Sequence, residues 1–336
     1  MADAAVAAVA PGPRTRARRG ATIVAALAWS LLCVRWFDAA APLRPAIVDA
    51  VPPFVFALLL FGSLAAMRGG RAPAAAPKEW DRGLLLVVVL AILFRLPMAW
   101  AGSAGYVTAD GALSGLMALD VRDGRAHDVF VPHVPYSGSL KAHVTAPLAA
   151  LVDPARAFAV VSLLFYAAFV AALYRLAVET GPASGPGRGS AALAAGLYAA
   201  FSPAFVTRYS LSNDGNYVEV LAFGTWALVL ARRWAREGAA RERRAFAIGL
   251  LIGLAFWCHI LAVIPAAAIA VFLLVESPRD ALTRALPSGV LGFLLGDLPG
   301  LLWNAVNGWD SFAYLQPGAV AATRDPAGAG GMGLVA

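Results

Sequence analysis

The sequence predicts an all-α, polytopic membrane protein with a bundle of about nine transmembrane helices. Of its 336 residues, 60% are hydrophobic and only 14% are charged, and the mean hydropathy is +0.71. A soluble domain has roughly 45–50% apolar and about 25% charged residues. So few charges cannot cover the surface of a soluble chain of this length. The composition therefore excludes a cytosolic enzyme, a nucleic-acid-binding protein and a disordered scaffold.

The spans are predicted from apolar runs, because a hydrocarbon core of about 30 Å needs roughly 20 apolar residues in a helix. Nine runs qualify, and we divide the long seventh-to-eighth stretch near His259: 21–37, 48–67, 83–101, 157–178, 191–207, 217–231, 245–258, 260–276 and 286–305. The predicted divisions are a basic cytoplasmic tail, two additional N-terminal helices, a main membrane domain and a Gly/Ala-rich tail: 1–20, 21–67, 83–315 and 316–336.

The positive charges predict the orientation. With the N-terminus in the cytoplasm, the cytoplasmic segments contain 17 of the 27 Lys and Arg residues, and the outer segments contain nine. Cytoplasmic loops of membrane proteins carry the excess of such residues. We therefore expect a multi-pass protein of the cell (inner) membrane with residues 102–156 outside. The net charge of +7 is explained by membrane orientation, with membrane lipids as partners and no nucleic acid.

Residues 102–156 form the one long predicted loop, and Asp110 lies near its start. A short amphipathic helix at the membrane surface is predicted from three apolar residues at helical spacing, Leu113, Leu116 and Met117. We expect it to end at the Asp123-Gly124 turn. An Asp at a helix start is a favoured capping residue. Helix capping and a functional role are therefore both open for Asp110.

The second half of the loop contains prolines that favour an extended chain, followed by Ser139, which can cap the next helix. The histidines of the loop match no compact zinc pattern: His127, His133 and His143. Cys33 and Cys258 lie within apolar stretches, so no disulfide framework is expected. We assign no metal ligands and no certain cofactor; a divalent cation stays an open alternative that the ligand pattern does not support.

One segment resembles a known family. Phe94-Arg95-Leu96 ends a span. Asp110 is the second residue of Ala-Asp-Gly-Ala-Leu-Ser-Gly-Leu-Met-Ala-Leu, and residues 135–148 read Pro-Tyr-Ser-Gly-Ser-Leu-Lys-Ala-His-Val-Thr-Ala-Pro-Leu. This pattern is similar to the first periplasmic loop of the GT-C integral-membrane glycosyltransferases, in the branch of protein mannosyltransferases, aminoarabinose transferases and lipopolysaccharide-core sugar transferases. The resemblance covers roughly residues 83–315.

The resemblance implies transfer of a sugar, usually with inversion, from a polyprenyl-phosphate donor to a lipid, glycan or protein acceptor outside the cytoplasm. Asp110 would be the base that accepts the proton of the acceptor hydroxyl. Nearby cations would contact the phosphate leaving group: Lys141, Arg95 and Arg208. Further substrate-binding candidates are Tyr136 and His143 in the motif and Glu219, an acid within the sixth apolar run that needs a partner.

Two positions depart from the family pattern. Gly111 and Lys141 stand where many members carry acidic residues, which makes a metal less expected and also suggests a catalytically inactive assembly subunit. A lipid or solute transporter is the other alternative; it should have broken helices and an internal repeat, and we find no repeat. Because longer members of the family continue through more spans, the chain is expected to be either a fragment or a short form.

Overall fold

The computed structural model describes residues 24, 27, 28, 82–101, 108–125, 128–132, 134–180, 187–212, 215–236 and 241–313. The described chain from Arg82 onward belongs to one compact unit. The first two predicted spans lie outside the described residues, apart from Val24, Leu27 and Ala28, which are helical. Both predicted tails, 1–20 and 316–336, also lie outside them.

The described chain is mostly helical, with one small β-hairpin. Its elements are α1 (Arg82–Ala101), α2 (Ala109–Arg122), β1 (Phe130–Val131), β2 (Val134–Gly138), α3 (Leu140–Thr145), α4 (Pro154–Thr180), α5 (Gly187–Ala200), α6 (Ala204–Tyr209), α7 (Tyr217–Arg236), α8 (Arg241–Cys258), α9 (Val263–Glu276), α10 (Leu286–Gly296), α11 (Leu298–Val306) and α12 (Asp310–Ala313). A short helix and a π-helical turn precede α10: Pro278–Asp280 and Ala281–Ala285.

Two of the described helices, α1 and α4, are long and apolar enough to cross a membrane. A third candidate exists if the helical segment Pro278–Gly296 and α11, which are bent by 71° relative to each other, are counted as one span. Shorter apolar helices cover Gly189–Ala200 and Ile260–Glu276. The prediction of a helical membrane protein is therefore supported, while the count of nine spans is not confirmed.

Two predicted spans contain breaks. The predicted helix 191–207 ends at Ala200 and resumes at Ala204, because Pro203 has no backbone N–H for a continuous helix. The predicted helix 286–305 bends at Asp297, between α10 and α11. The division near His259 is confirmed, since α8 ends at Cys258 and a short 3₁₀ turn precedes α9.

Helix α4 is the central helix of the first half of the described unit. Tyr166, Val170 and Tyr174 on α4 are buried in one cluster with residues of α1 and α5. Large apolar side chains of α1, including Leu85 and Leu93, are exposed. An apolar surface of this extent is unfavourable in water and is suited to contact with lipid.

Helices α8 and α10 pack with their backbones in contact. A Cβ atom added to Gly249 would lie 1.9 Å from the carbonyl oxygen of Gly289, and one added to Gly292 would lie 2.1 Å from that of Phe246. Small residues permit such close approach between membrane helices. The closely packed pair of α8 and α10 lies next to the bend at Asp297.

The loop helix predicted from Asp110 to the Asp123-Gly124 turn is α2, whose C-cap is Asp123 and which is followed by Gly124 at φ +68°. On the apolar face predicted for this helix, Met117 is buried in the protein, whereas Leu116 is 58% exposed. The other buried residues of α2 are small and recur at helical spacing, on a face that does not include Leu116: Gly111, Ser114 and Ala118.

The proline-rich segment is extended as predicted and forms the antiparallel hairpin β1–β2. Ser139 occupies the N-cap position of α3, but its hydroxyl donates to the carbonyl oxygen of Val129 at 2.9 Å and does not cap the helix.

Candidate functional site

The hairpin is held against the ends of two helices by one amide. The Nδ2 of Asn216 lies 3.0 Å from Ser137 Oγ, 2.7 Å from the Gly138 carbonyl and 3.2 Å from the Cys258 carbonyl. Asn216 has φ +51° in a tight turn, a conformation that Asn tolerates better than most residues. The loop, the start of α7 and the end of α8 therefore share one buried hydrogen-bonded junction.

The indole of Trp257 forms a second junction between α8 and the loop. Its Nε1 donates to the Val129 carbonyl at 3.2 Å. A Cβ at Gly138 would lie 2.1 Å from the Trp257 carbonyl oxygen, so only glycine fits at that position of β2. The hairpin part of the loop is thus positioned by the helices against which it packs.

Asp110, the candidate base, lies in the first turn of α2 with its side chain exposed. The helix is capped by Thr108, whose Oγ1 accepts the backbone N–H of Gly111 at 3.1 Å. Capping by Asp110, one of the two open interpretations, is therefore wrong. Within the part of the chain that the structure describes, no hydrogen bond or ion pair reaches the Asp110 carboxylate.

Lys141 and Glu219 form a buried ion pair. Lys141 Nζ lies 3.1 Å from Glu219 Oε1, and the two side chains are 2% and 0% exposed. The same ammonium donates to Ser162 Oγ at 3.3 Å. No hydrogen-bond donor in the described chain reaches Glu219 Oε2. The pair connects α3 of the loop to α7, and Glu219 has the partner that its position in an apolar run requires.

Arg95 is also completely buried. Its guanidinium donates to Ser210 Oγ at 2.7 Å, to the Ala200 carbonyl at 2.7 Å and to Ser202 Oγ at 2.5 Å. Its Cζ lies 4.0 Å from the ring centre of Tyr166. The fork of donors satisfies groups at the break between α5 and α6, which is a structural role for this cation.

The remaining candidates are on the loop and on α6. Arg208 is exposed, with its Cζ 5.7 Å from the ring centre of Tyr209. His143 is buried, with Nδ1 2.9 Å from the Ser139 carbonyl oxygen. Tyr136 is half-buried, and its ring centre lies 5.3 Å from that of His259. The structure therefore brings Lys141 and Glu219 together, and no hydrogen bond or ion pair in the described chain joins Asp110 to any predicted cation.

Residues that the sequence analysis did not assign to the site surround a cavity of about 350 Å³ between α4, α6 and α7. Its walls are mostly apolar: Tyr166, Phe205, Val206, Tyr209, Ser210, Tyr217, Val218 and Leu221. The aromatic spacing Phe205–Tyr209, i to i+4 on one helix face, is a signal in the sequence that indicates such a wall.

His259 lies between two tyrosines at the end of α8. Its ring centre is 5.3 Å from Tyr217 and 5.3 Å from Tyr136, and its Nδ1 accepts the backbone N–H of Leu261 at 3.1 Å. Burial lowers the pKa of this imidazole. The neutral ring therefore carries its hydrogen on Nε2, which makes that atom a hydrogen-bond donor.

Among the residues that the structure describes, no group of three or more His, Cys, Asp or Glu side chains is arranged to hold a metal ion. No family model, curated protein or solved structure matches the chain.

Proposed function

We propose that the protein is a membrane glycosyltransferase that moves a sugar from a polyprenyl-phosphate donor to a lipid, glycan or protein acceptor. In this proposal the chain forms a bundle of about nine spans in the cell membrane. The N-terminus is cytoplasmic, and residues 102–156 lie on the extracytoplasmic side. The distribution of Lys and Arg supports this orientation, and the loop resemblance supports the reaction.

The exposed carboxylate of Asp110, which has no partner in the described chain, is the main support for the proposal. Thr108 caps α2, so the Asp110 carboxylate is not needed to satisfy the helix end. An exposed carboxylate in the first turn of a helix can reach an acceptor hydroxyl, as a general base must.

The proposed reaction is a substitution at the anomeric carbon of the sugar. The acceptor oxygen attacks the anomeric carbon while Asp110 takes its proton, and the bond between that carbon and the phosphate oxygen breaks. The carrier leaves as a phosphate with one more negative charge. A cation in reach of that oxygen stabilises the leaving group.

Burial changes which cation we assign to the phosphate. Lys141 pairs with Glu219, and Arg95 donates to helix ends. We therefore assign phosphate contact to Arg208, which is exposed on α6. Lys141 and Glu219 become positioning residues that hold the loop to α7, while Tyr136 and His143 remain proposed substrate contacts.

The test is Asp110→Asn, measured by mass spectrometry of glycans in a strain that lacks the chromosomal gene and carries the variant. Asn keeps the size of Asp and cannot accept the proton, so transfer should fall roughly 10²–10⁴-fold. The level of protein in the membrane and its melting temperature should not change.

Two matched controls accompany this variant. Thr108→Ala removes the observed cap and should destabilise the protein by about 0.5–2 kcal/mol while transfer persists. Asp128→Asn alters another exposed loop carboxylate without a partner in the described chain and should change neither property. Near-normal transfer by Asp110→Asn would remove the base assignment.

A lipid or solute transporter is a second candidate, because the bend of 71° before α11 contains a buried acid, Asp297. Broken helices with polar groups are typical of transporter binding sites. The two candidates differ in their products: a transporter moves the lipid-linked sugar without cleaving it. Accumulation of uncleaved carrier in the strain that lacks the gene, together with unchanged in vitro glycosyl transfer, would favour transport.

A further inference from the structure

One end of the described bundle is held together by ion pairs between the ends of its helices. Glu179 at the end of α4 pairs with Arg233 and Arg236 of α7, each at 3.0 Å. Asp280, in the short helix after α9, pairs with Arg241 at the start of α8. In the proposed topology this end is cytoplasmic, because it contains the arginines of the segments predicted to lie inside.

Two other arginines at this end are only loosely paired. Arg232 Nη1 lies 3.9 Å from Glu276 Oε1, and Arg284 Nη1 lies 3.6 Å from Asp280 Oδ1. Both separations exceed the roughly 2.7–2.9 Å of a charge-assisted hydrogen bond. The two arginine side chains are 31% and 57% exposed, and the Arg232 Cζ lies 5.2 Å from the ring centre of Phe272. An anion from outside the protein can therefore contact both guanidinium groups.

The same end of the bundle has more donors than acceptors. Three of its side-chain N–H groups are buried, and no acceptor among the described residues reaches them: Arg232 Nε, Trp234 Nε1 and Arg241 Nε. The ion pairs there involve five arginines and only three acids. Buried polar groups in native proteins nearly always have partners, so this surplus of donors and positive charge favours a negatively charged, acceptor-rich ligand such as a phosphodiester.

Helix α9 presents an exposed apolar stripe that ends beside these arginines. Its members recur at helical spacing, and the last one precedes Glu276: Ile264, Ala268, Val271 and Val275. At 1.5 Å per residue, the stripe is about 16 Å long. This length is close to half of a hydrocarbon core of about 30 Å, which is the depth of one leaflet. A phosphate that carries acyl chains therefore fits this place better than a free phosphate does.

We propose that Arg232 and Arg284 bind the phosphodiester of one anionic phospholipid, whose acyl chain lies along the exposed stripe of α9. Basic pockets between membrane helices on the cytoplasmic side are suited to such head groups. A phosphate that contacts both arginines connects α7 to the π-helical turn and stabilises this end of the bundle. The inference goes beyond the proposed function, because it uses no residue assigned to sugar transfer.

The experiment is native mass spectrometry of the full chain in detergent, titrated with dioleoyl phosphatidylglycerol, dioleoyl phosphatidylcholine or inorganic phosphate. Phosphatidylglycerol should bind as one saturable copy, roughly 10-fold more tightly than phosphatidylcholine, whose choline cation cancels the charge of its phosphate. Inorganic phosphate at the same concentration should not displace phosphatidylglycerol, because it lacks acyl chains.

Variants of opposite charge test the site. Arg232→Gln and Arg284→Gln should each weaken the binding of phosphatidylglycerol by roughly 10-fold. Glu276→Gln removes the acid beside Arg232 and should strengthen binding by roughly 2- to 5-fold, a gain that misfolding cannot produce. The matched controls are Arg243→Gln and Glu242→Gln, which make the same charge changes at exposed positions near the start of α8. Both controls should stay within about twofold of the wild type.

Four results would overturn the inference. Equal affinities for the two phospholipids would mean that no anionic head group is recognised. Equal weakening by Arg232→Gln and Arg243→Gln would indicate diffuse attraction to a basic surface. Unchanged or weaker binding by Glu276→Gln would remove Arg232 as the phosphate contact, and displacement of phosphatidylglycerol by inorganic phosphate would indicate an anion site without a lipid. None of these measurements involves sugar transfer, so their outcome is separate from that of the proposed function.

Discussion

The two breaks in the described helices contain buried ionisable groups, and their environments are opposite. At the first, between α5 and α6, the guanidinium of Arg95 donates to carbonyl and hydroxyl oxygens. At the second, between α10 and α11, Asp297 is 4% exposed, and no hydrogen bond or ion pair reaches its carboxylate within the described chain. Burial alone therefore does not mark a functional charge in such a protein; the number of hydrogen-bond partners separates the two cases.

The buried Lys141–Glu219 pair is intermediate between Arg95 and Asp297 in the number of its polar atoms that have partners. Its charges are balanced at 3.1 Å, yet Glu219 Oε2 has no donor. We expect substitution to destabilise the protein most at a buried charge whose donors all have partners. We expect it to destabilise the protein least at a buried charge that has no partner. Three measurements of stability can test this order.

The largest effect is expected for Arg95→Leu. The change removes the guanidinium that donates to the Ala200 carbonyl, the Ser202 hydroxyl and the Ser210 hydroxyl, at a fully buried position. We expect a loss of about 3–5 kcal/mol, the upper range for breaking a buried polar network, measured by denaturant unfolding in detergent. Arg95→Lys should not restore stability, because an ammonium cannot reproduce the fork of the guanidinium. Full stability of the Lys variant would contradict the assigned role.

A smaller net effect is expected when both members of the ion pair are replaced. Lys141→Met alone leaves Glu219 buried without compensation and should cost about 3–5 kcal/mol, whereas Lys141→Met with Glu219→Leu should recover most of that loss. A double-mutant cycle measured by unfolding gives the coupling energy. If the two single changes are simply additive, the pair does not hold α3 to α7.

The smallest effect is expected for Asp297→Asn. The carboxylate loses no partner that the structure describes, so the free energy of unfolding should stay within about 1 kcal/mol of the wild type or increase. Stability and transfer are measured on the same preparation. A stable variant without activity would make Asp297 functional, while a loss above about 2 kcal/mol would show that the acid stabilises the fold.

The sequence predicted the helical class, the division at His259, the end of α2 at Gly124 and the extended conformation of the proline-rich segment, because these depend on local composition and turn residues. It did not predict that this segment pairs into a hairpin. It did not predict the break at Pro203 or the bend at Asp297, since apolar composition continues through both. It also assigned Asp110 as a candidate cap, although Thr108, two residues earlier, accepts the bond. Where two residues with capping side chains lie close together at a helix start, the sequence does not determine which one becomes the cap.

The partners of buried charges were the least predictable part. Arg95 and Lys141 were both expected to face a phosphate, and each is engaged by residues far away in sequence: Ser210 and Glu219. Those contacts depend on how α1, α3, α6 and α7 assemble, which no local pattern contains. The contact between the rings of His259 and Tyr136 was unpredictable for the same reason, because only the docking of the hairpin brings them together.

The junction at Asn216 has a consequence for how the protein is made. The amide that holds Ser137 and Gly138 lies 79 and 78 residues later in the chain, and Trp257 follows Val129 by 128 residues. At about 5–20 residues per second, a ribosome needs roughly 6–26 s to synthesise the stretch from Val129 to Trp257. The hairpin leaves the ribosome long before its anchors exist, so its docking belongs to the late steps of biogenesis. Variants that slow this docking should expose the loop to proteases during synthesis, even where the finished protein is stable.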